Sequence, residues 1–233
     1  MYTFNKDHFV RTQHNKIKHL SPQVKGISDS DLEVLGVARG LIPDNFFEYL
    51  THDFDNLCGT SNNDLAGHIT HEYDLNYKIN DELNKFFQEM VHYYPVLQQE
   101  LNEYKVLTHT CPLEMHTMWT NFQAKGDFNP LHRHSGIFSF IIFVNIPYDL
   151  RTELRRYKKP ESENATSKLS FIYSRANGQI GVKHIPVDKT YEKTIYMFPA
   201  KLWHCVYPFF TSDDYRVTIS GNLRFNVRSE LND

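Results

Sequence analysis

Two histidines one residue apart, His132 and His134, lie between a turn at residues 125–127 and an apolar run at residues 137–146. On a strand, alternate side chains point to the same side, so both imidazoles would face one way and Arg133 the other. Imidazole is the commonest metal ligand and suits Fe, Zn, Cu and Ni. The pair therefore predicts a metal site that takes a third ligand from elsewhere in the chain.

A later histidine is the candidate for that third ligand. His204 lies in the segment FPAKLWHCVY, and Arg216 opens the segment RVTISGN a short distance beyond it. Thr218 would share the face of Arg216 on a strand. The order is HxH, a long gap, a single histidine, a short gap and Arg-x-Thr. The other histidines have no such setting, and we predict that they are structural.

The layout of these motifs resembles the iron(II)- and 2-oxoglutarate-dependent oxygenases. The similar branch carries W-x-N followed by N-P-x-H-x-H-S-G, then F-P-x-x-L-W-H followed by R-x-T-I-S-G-N, and includes oxygenases of bacteria and their phages. A more distant similarity reaches the prolyl hydroxylases. The resemblance covers roughly residues 105–227, and its paired motifs are specific together although neither is specific alone.

The resemblance implies a fold, an activity and a set of site residues. The fold would be mainly β, a double-stranded β-helix or jelly roll braced by two amphipathic N-terminal helices. The activity would be that of a dioxygenase using Fe(II), 2-oxoglutarate and dioxygen, which hydroxylates its substrate and releases succinate and CO2. In the family, an arginine on a late strand anchors the distal carboxylate of 2-oxoglutarate, a role that matches Arg216. Thr218 would assist it, and Asn121 would hydrogen-bond the co-substrate.

His134 departs from the usual family pattern, which is two histidines and one carboxylate with the acid at this position. Direct ligation by a third imidazole would leave the iron one charge unit more positive, which favours a dianionic co-substrate. Alternatively, His134 would lie outside the ligand set, and water or Asp127 would complete the site. The sequence leaves both arrangements open.

Arg216 also has two interpretations. A guanidinium offers a planar fork of donors that matches a carboxylate with two parallel hydrogen bonds. The alternative is a surface arginine paired with Asp213 or Asp214.

Two other functions compete with the oxygenase. One is a cupin-like enzyme with a three-histidine metal centre and no 2-oxoglutarate, which would not need Arg216 and Thr218. The other is a non-catalytic jelly-roll binding module, in which the histidines are incidental.

The composition and charge of the chain limit the kinds of partner that it is expected to bind. The chain has 233 residues, 40% of them hydrophobic, and a formal charge of −3, so no overall positive field favours nucleic acid or an anionic membrane. The expected substrate is an amino acid, a peptide or another small molecule.

No apolar run reaches the ~20 residues that span a bilayer. The N-terminus lacks a signal-peptide pattern, and an odd number of separated cysteines (Cys58, Cys111, Cys205) is typical of reduced thiols. We therefore expect a cytoplasmic protein, with its oligomeric state open.

We expect a single domain over residues 1–233, with helical support in 1–104 and a jelly-roll catalytic core in 105–228. Helical periodicity predicts a short helix-like segment over 29–38, a helix opening at 42–44 and ending at Gly59, and a helix over 81–94 that Pro95 ends. The strands predicted after Lys105 are residues 115–122, 137–146, 169–174, 180–185, 194–198, 202–207 and 215–227.

A charge-dense stretch at residues 149–168 interrupts the strands. It is predicted to be a solvated excursion, with a lid over the substrate as the alternative. Some aromatic residues of the core are also candidates for a dry pocket wall. These are Phe122, Phe140, Tyr173 and Trp203.

Overall fold

The computed structural model describes residues 29–57, 67–104, 111–156 and 164–227. Five α-helices lie in these ranges: α1 (Asp29–Glu33), α2 (Asp44–Thr51), α3 (Asp81–Tyr93), α4 (Pro95–Glu103) and α5 (Leu150–Arg155). Ten strands accompany them: β1 (Ala38–Leu41), β2 (His71–Asp74), β3 (Leu113–Gln123), β4 (Asn129–His132), β5 (Phe138–Asn145), β6 (Leu169–Ser174), β7 (Ile180–Ile185), β8 (Thr194–Pro199), β9 (Trp203–Val206) and β10 (Arg216–Phe225).

The strands form two antiparallel sheets. The major sheet has the order β1-β8-β5-β10-β3-β2, and the minor sheet has the order β4-β9-β6-β7. Buried residues of both sheets pack together, with Phe143 and Phe198 from the major sheet meeting Leu169 and Phe171 from the minor sheet. Two facing sheets with helices outside confirm the predicted jelly-roll class.

Helices α2, α3 and α4 cover the outer face of the major sheet. On α3, Leu83, Phe86 and Met90 recur at helical spacing and are buried. They join one cluster with Phe138 and Ile219 of the sheet. Because strand residues alternate between faces, this leaves the intervening side chains of β5 and β10 to face the minor sheet.

The boundaries of α3 follow from local sequence. The Asn80 side chain accepts a hydrogen bond from the Leu83 N–H at 2.8 Å and caps the helix. The helix ends before Pro95 as predicted, but Pro95 then opens α4, which the periodicity did not reveal. Proline is well suited to the first turn of a helix, where its missing N–H removes no hydrogen bond.

The N-terminal part contributes two strands as well as helices. The helix predicted over 29–38 ends at Glu33, because Gly36 adopts a left-handed φ of 71°. The Val37 N–H then bonds the Leu32 carbonyl at 3.1 Å and closes the helix end. The chain continues into β1, which pairs with β8, while β2 pairs with β3 at the opposite edge of the major sheet. The predicted stop at Gly59 lies outside the described residues.

None of the helices in the described ranges has the length and apolar character that a membrane-spanning helix needs.

Candidate active site

A row of polar side chains crosses the inner face of the major sheet. Glu72 of β2 lies opposite Asn121 of β3, and Asn121 lies opposite Thr218 of β10. Directly paired residues on antiparallel strands point to the same face. One step along the same face, Gln123 lies opposite Arg216. This polar row forms one wall of a pocket between the sheets.

The minor sheet carries the histidines on the opposite wall. His132 at the end of β4 is paired in register with His204 of β9. His134 follows β4, and its N–H bonds the Ala200 carbonyl at 2.8 Å. One ring nitrogen of each histidine lies within 4.8 Å of the others. The chain thus brings together the three histidines that the sequence singled out, and Arg133 points away to stack on Trp203 with its guanidinium carbon 5.2 Å from the ring centroid.

Local hydrogen bonds fix how two of these rings are oriented. His132 Nδ1 lies 2.7 Å from the Pro130 carbonyl, and His204 Nδ1 lies 2.9 Å from the Leu202 carbonyl. A carbonyl only accepts, so each Nδ1 carries the proton and each Nε2 keeps its lone pair for the cluster. This is the tautomer that a histidine needs in order to bind a metal through Nε2.

Burial keeps the imidazoles neutral. It lowers the pKa of His134 to about 3, with the charge of His132 as a smaller cause. Burial, followed by the charges of His132 and His134, holds the pKa of His204 well below its ordinary value. Burial also lowers the pKa of His132, against the opposing effect of its bond to Pro130. Neutral imidazoles are the form that binds metal ions.

The spacing of the nitrogens fits a metal ion. His134 Nε2 and His204 Nε2 are 3.1 Å apart. Two nitrogens at about 2.1 Å from one ion, with a right angle between them, lie ~3.0 Å from each other. Asp127, the alternative ligand, instead accepts hydrogen bonds from the Thr70 N–H at 2.6 Å and the Ala124 N–H at 3.0 Å. The geometry therefore favours His134 over Asp127 as the third group that could hold a metal.

Arg216 lines the same pocket and is only 2% exposed. Its Nε and Nη2 atoms donate to Gln123 Oε1 at 3.0 and 2.7 Å. Nη1 donates to the Tyr148 hydroxyl at 3.0 Å and to the Ser167 carbonyl at 2.8 Å. Nη2 also donates to the Tyr207 carbonyl at 3.0 Å. These contacts account for all the N–H groups of a guanidinium.

The acceptors around Arg216 are all neutral. Among the described residues, no carboxylate forms an ion pair with it, and Asp213 pairs instead with Lys125. The alternative of a surface arginine paired with Asp213 or Asp214 is therefore wrong. A buried guanidinium without a counter-charge fits a site for a carboxylate ligand, because burying an unpaired charge is costly.

Asn121 and Thr218 lie between the arginine and the rest of the polar row. Asn121 Nδ2 is 3.3 Å from Thr218 Oγ1, and Asn121 Oδ1 is buried with no hydrogen-bond partner among the described residues. The oxygen and nitrogen of an amide are interchangeable in such assignments. In either orientation, one polar atom of Asn121 is left for a ligand in the pocket.

Sequence reasoning did not identify several residues of this site. Gln123 shares the alternation of Trp119 and Asn121, so its position on the strand was a usable signal. Tyr148 and Ser167 reach Arg216 from the two ends of the charged excursion, and no local pattern marks that contact.

The excursion is not wholly solvated, contrary to its predicted character. Glu153 of α5 is fully buried, and its carboxylate accepts hydrogen bonds from the Phe210 and Thr211 N–H groups. Residues 157–163, which include part of its basic cluster, lie outside the described ranges, so the lid alternative stays a prediction.

Apolar side chains complete the pocket, among them Phe143, Leu169, Phe198 and Val206. Of the four aromatic candidates, Phe140 borders the pocket, but its ring packs against Phe87 of α3 on the outer face of the major sheet, with ring centroids 4.3 Å apart. Trp203 is 43% exposed on the outer side of the minor sheet, and Phe122 packs against Phe54 with ring centroids 5.5 Å apart. Alternation along the strands explains these differences, since Trp203 neighbours an inward histidine and Phe122 neighbours an inward asparagine.

Comparison with known proteins agrees with this geometry. A family model described as "Putative 2OG-Fe(II) oxygenase" matches residues 117–222, a span that contains every site residue predicted from the motifs. An oxidoreductase of the 2OG-Fe(II) oxygenase family from Burkholderia pseudomallei has a similar structure, with a TM-score of 0.50, 8% identity, and coverage of 85% of this chain and 90% of that one. A prolyl-4-hydroxylase from Pseudomonas putida gives a TM-score of 0.48, 12% identity, and coverage of 84% and 95%. None of the curated proteins matches the chain.

Fold and site together define a jelly-roll protein with three histidines that could hold a metal ion. The family match gives the narrower assignment: residues 117–222 match the 2-oxoglutarate- and Fe(II)-dependent oxygenases, which are dioxygenases that use iron and 2-oxoglutarate. The match supports the predicted enzyme class and its cofactors. It also disfavours the cupin-like enzyme without 2-oxoglutarate and the non-catalytic module.

Proposed function

We propose that the protein hydroxylates an amino acid, a peptide or another small substrate, and that it releases succinate and CO2. In this proposal, His132, His134 and His204 bind Fe(II). Arg216 binds the distal carboxylate of 2-oxoglutarate, with Thr218 and Asn121 contacting the co-substrate beside it. The observation that carries the proposal is the placement of three neutral imidazoles across one pocket from a buried guanidinium that has no acidic partner among the described residues.

The residues at the two ends of the pocket have different roles in this proposal. Fe(II), when bound, supplies the chemistry of dioxygen activation and oxidative decarboxylation. The Pro130 and Leu202 carbonyls hold His132 and His204 in the tautomer that presents Nε2. Phe143, Phe198 and their apolar neighbours exclude water, which strengthens electrostatic interactions in the pocket.

In this proposal, the carboxylate of 2-oxoglutarate replaces one of the protein acceptors around Arg216. All the N–H groups of the guanidinium already have acceptors, so the carboxylate binds when one of these acceptors moves away. Gln123 is the candidate because its single oxygen takes two of the donors, as a carboxylate oxygen can. Its amide also donates to the Asp127 carbonyl, which would hold the side chain after it leaves Arg216.

We also propose that the chain works as one domain, since β1 and β2 of the N-terminal part pair with strands of the predicted catalytic core. The helices and edge strands would then set the position of the polar row.

The test is an anaerobic titration of the protein with Fe(II) and then with 2-oxoglutarate, followed by exposure to oxygen. We expect a weak visible charge-transfer band that requires both additions, and succinate release that requires oxygen. His204→Ala should abolish both signals, whereas His184→Ala should keep them, because His184 bonds Ser170 away from the cluster. Absence of the band and of succinate from the unaltered protein would contradict the proposal.

A further inference from the structure

Strand β7 is the last strand of the minor sheet and pairs on one side only, with β6. In the hairpin that joins them, the Arg175 N–H bonds the Gln179 carbonyl at 2.8 Å. Main-chain groups of an antiparallel strand point to alternate sides, so Gly181 and Lys183 direct theirs to β6. The N–H and C=O groups of Ile180, Val182 and His184 therefore face away from the sheet, and no other strand among the described residues pairs with them.

The other three sheet edges in the described ranges carry features that discourage pairing with a further strand. Pro130 lies in β4, whose pairing with β9 is also irregular between Asn129 and His132. Strands β1 and β2 have four residues each, and both carry charged side chains. Short length, proline, irregular pairing and charge are the usual means of protecting an edge.

Strand β7 has none of these features. It has six residues without proline, and its register with β6 is continuous. On its outer face, Ile180 is 69% exposed and Val182 is 46% exposed. Lys183 is the one charged residue of the strand, and its ammonium group is already paired with Asp31 at 2.8 Å. A second strand can therefore approach this edge without meeting an unpaired charge from β7.

The sequence of β7 suits pairing with a second copy of itself. In an antiparallel pair centred on Val182, this residue lies opposite the partner's Val182, and Ile180 lies opposite the partner's His184. Each of these residues directs its main-chain groups to the edge, so the three residue pairs would exchange about six hydrogen bonds. Lys183 would lie opposite the partner's Gly181, beside the aromatic ring that covers this glycine, which is that of Tyr173.

Neighbouring registers fit less well. A pair centred on Lys183 would place two ammonium groups directly opposite each other, which is destabilising. It would also place Ile180 opposite the partner's Pro186, which has no N–H to donate. A pair centred on Gly181 would extend His184 past the end of the partner strand, opposite the turn residue Gly178. The sequence therefore favours one symmetric register.

We propose that the protein forms a two-fold symmetric dimer through antiparallel pairing of β7 with the partner's β7, which joins the two minor sheets into one continuous sheet. With one hydrogen bond per 100–200 Å² of interface, about six hydrogen bonds correspond to roughly 600–1,200 Å². Interfaces of this size belong to weak, reversible complexes. We therefore expect a dissociation constant on the order of micromolar.

The first experiment is sedimentation velocity of the full chain, loaded with Fe(II) under argon, from about 1 to about 200 µM, which brackets such a constant. We expect a reversible change from monomer to dimer. Val182→Lys places two ammonium groups at the symmetry axis and should raise the dissociation constant at least tenfold. Ile180→Lys is the second variant and should also weaken the dimer. Val227→Lys changes an equally apolar and exposed valine that lies outside β7, and it should dimerise like the unaltered protein.

Amide hydrogen exchange locates the interface. Exchange in a peptide that covers residues 179–185 should slow as the concentration of the unaltered protein rises, and it should not slow in Val182→Lys. Circular dichroism and thermal unfolding check that both β7 variants are folded, since their side chains are exposed in the monomer.

Three results would overturn the inference. One is a chain that stays monomeric at the highest concentration, which is also expected if the edge instead binds an extended peptide of another protein. The second is a dimer that survives both β7 variants, which would place the interface elsewhere. The third is exchange in β7 that is already slow in the dilute monomer, because the edge would then be covered by the chain itself.

Discussion

The two walls of the pocket hold their polar groups in different states. On the histidine wall, His132 and His204 are neutral, and each donates Nδ1–H to a carbonyl two residues earlier in its own segment. On the opposite wall, Arg216 is charged and depends on acceptors from four separate places in the chain, among them Tyr148 and Ser167. One wall is organised locally and the other by long-range contacts.

The two walls therefore differ in what ligand binding requires of the protein groups that line them. On the histidine wall, the Nε2 atoms of His134 and His204 already lie 3.1 Å apart, a separation that suits two ligands of one ion. The guanidinium has every donor engaged, so an anion has to replace a protein acceptor. We therefore expect metal binding to tolerate changes on the polar wall, whereas co-substrate binding responds to them.

The largest expected effect comes from breaking the histidine wall. His204→Ala should weaken Fe(II) binding by about 100-fold or more, since loss even of groups that only orient a metal ligand costs 10–100-fold. Anaerobic titration, or Co(II) absorbance as a substitute for iron, measures the change. An iron affinity within a few-fold of the unaltered protein would show that the ring does not bind the metal.

The next effect concerns the charge at the other end of the polar wall. The pKa of Glu72 is raised to about 7 from 4.5. The folded protein therefore holds this proton more tightly than the unfolded chain, and the stability that it contributes below pH 4.5 is lost as the pH rises toward and through 7. The loss amounts to roughly 3 kcal/mol from the pKa difference.

Urea denaturation of metal-free protein at pH 5 and pH 8 measures that loss when Glu72→Gln is compared with the unaltered protein, because the histidines with lowered pKa values act in the opposite direction in both proteins. Since the amide does not titrate, Glu72→Gln should be more stable at pH 8 relative to pH 5 than the unaltered protein is. Glu82→Gln, a change at an exposed acid of α3, should respond to pH like the unaltered protein. A pH response of Glu72→Gln equal to that of the unaltered protein would mean that Glu72 titrates normally.

The smallest expected effect concerns the replacement of Gln123 by 2-oxoglutarate as an acceptor for Arg216. Gln123→Glu places a carboxylate where the amide oxygen now accepts from Nε and Nη2, so it should compete with the co-substrate. We expect the KM for 2-oxoglutarate to rise about tenfold, the effect of one charged hydrogen bond, with iron affinity unchanged. Gln179→Glu in the exposed β6–β7 turn serves as the control. An unaltered KM would indicate that Gln123 does not yield its place to the ligand.

The histidine wall was predictable from the sequence because its information is local. The HxH pair and the later His204 could both be recognised within short motifs. Even so, the position of His134 was wrong in detail: β4 ends at His132, and His134 reaches the cluster from the following loop, held through the Ala200 carbonyl.

The wall that carries the polar row was only partly predictable, because its contacts join residues that lie far apart in the sequence. The inward direction of Asn121 and Thr218 follows from alternation on their strands. The contact of Tyr148 with Arg216 and the position of β2 beside β3 depend on how segments far apart in sequence meet. No periodicity marks a short edge strand such as β2, so Glu72 could not be assigned to the pocket before the fold was known.

The charged excursion is fastened at both of its ends. The Tyr148 hydroxyl and the Ser167 carbonyl bond the same guanidinium, and Glu153 ties the start of the excursion to residues 210 and 211. Asn164 adds a further tie, because its side chain donates to the Leu154 carbonyl at 3.0 Å. We therefore expect that changes of length within residues 157–163 leave the surroundings of the arginine unchanged. For protein engineering, this makes the excursion a suitable place to graft loops or attach a reporter group.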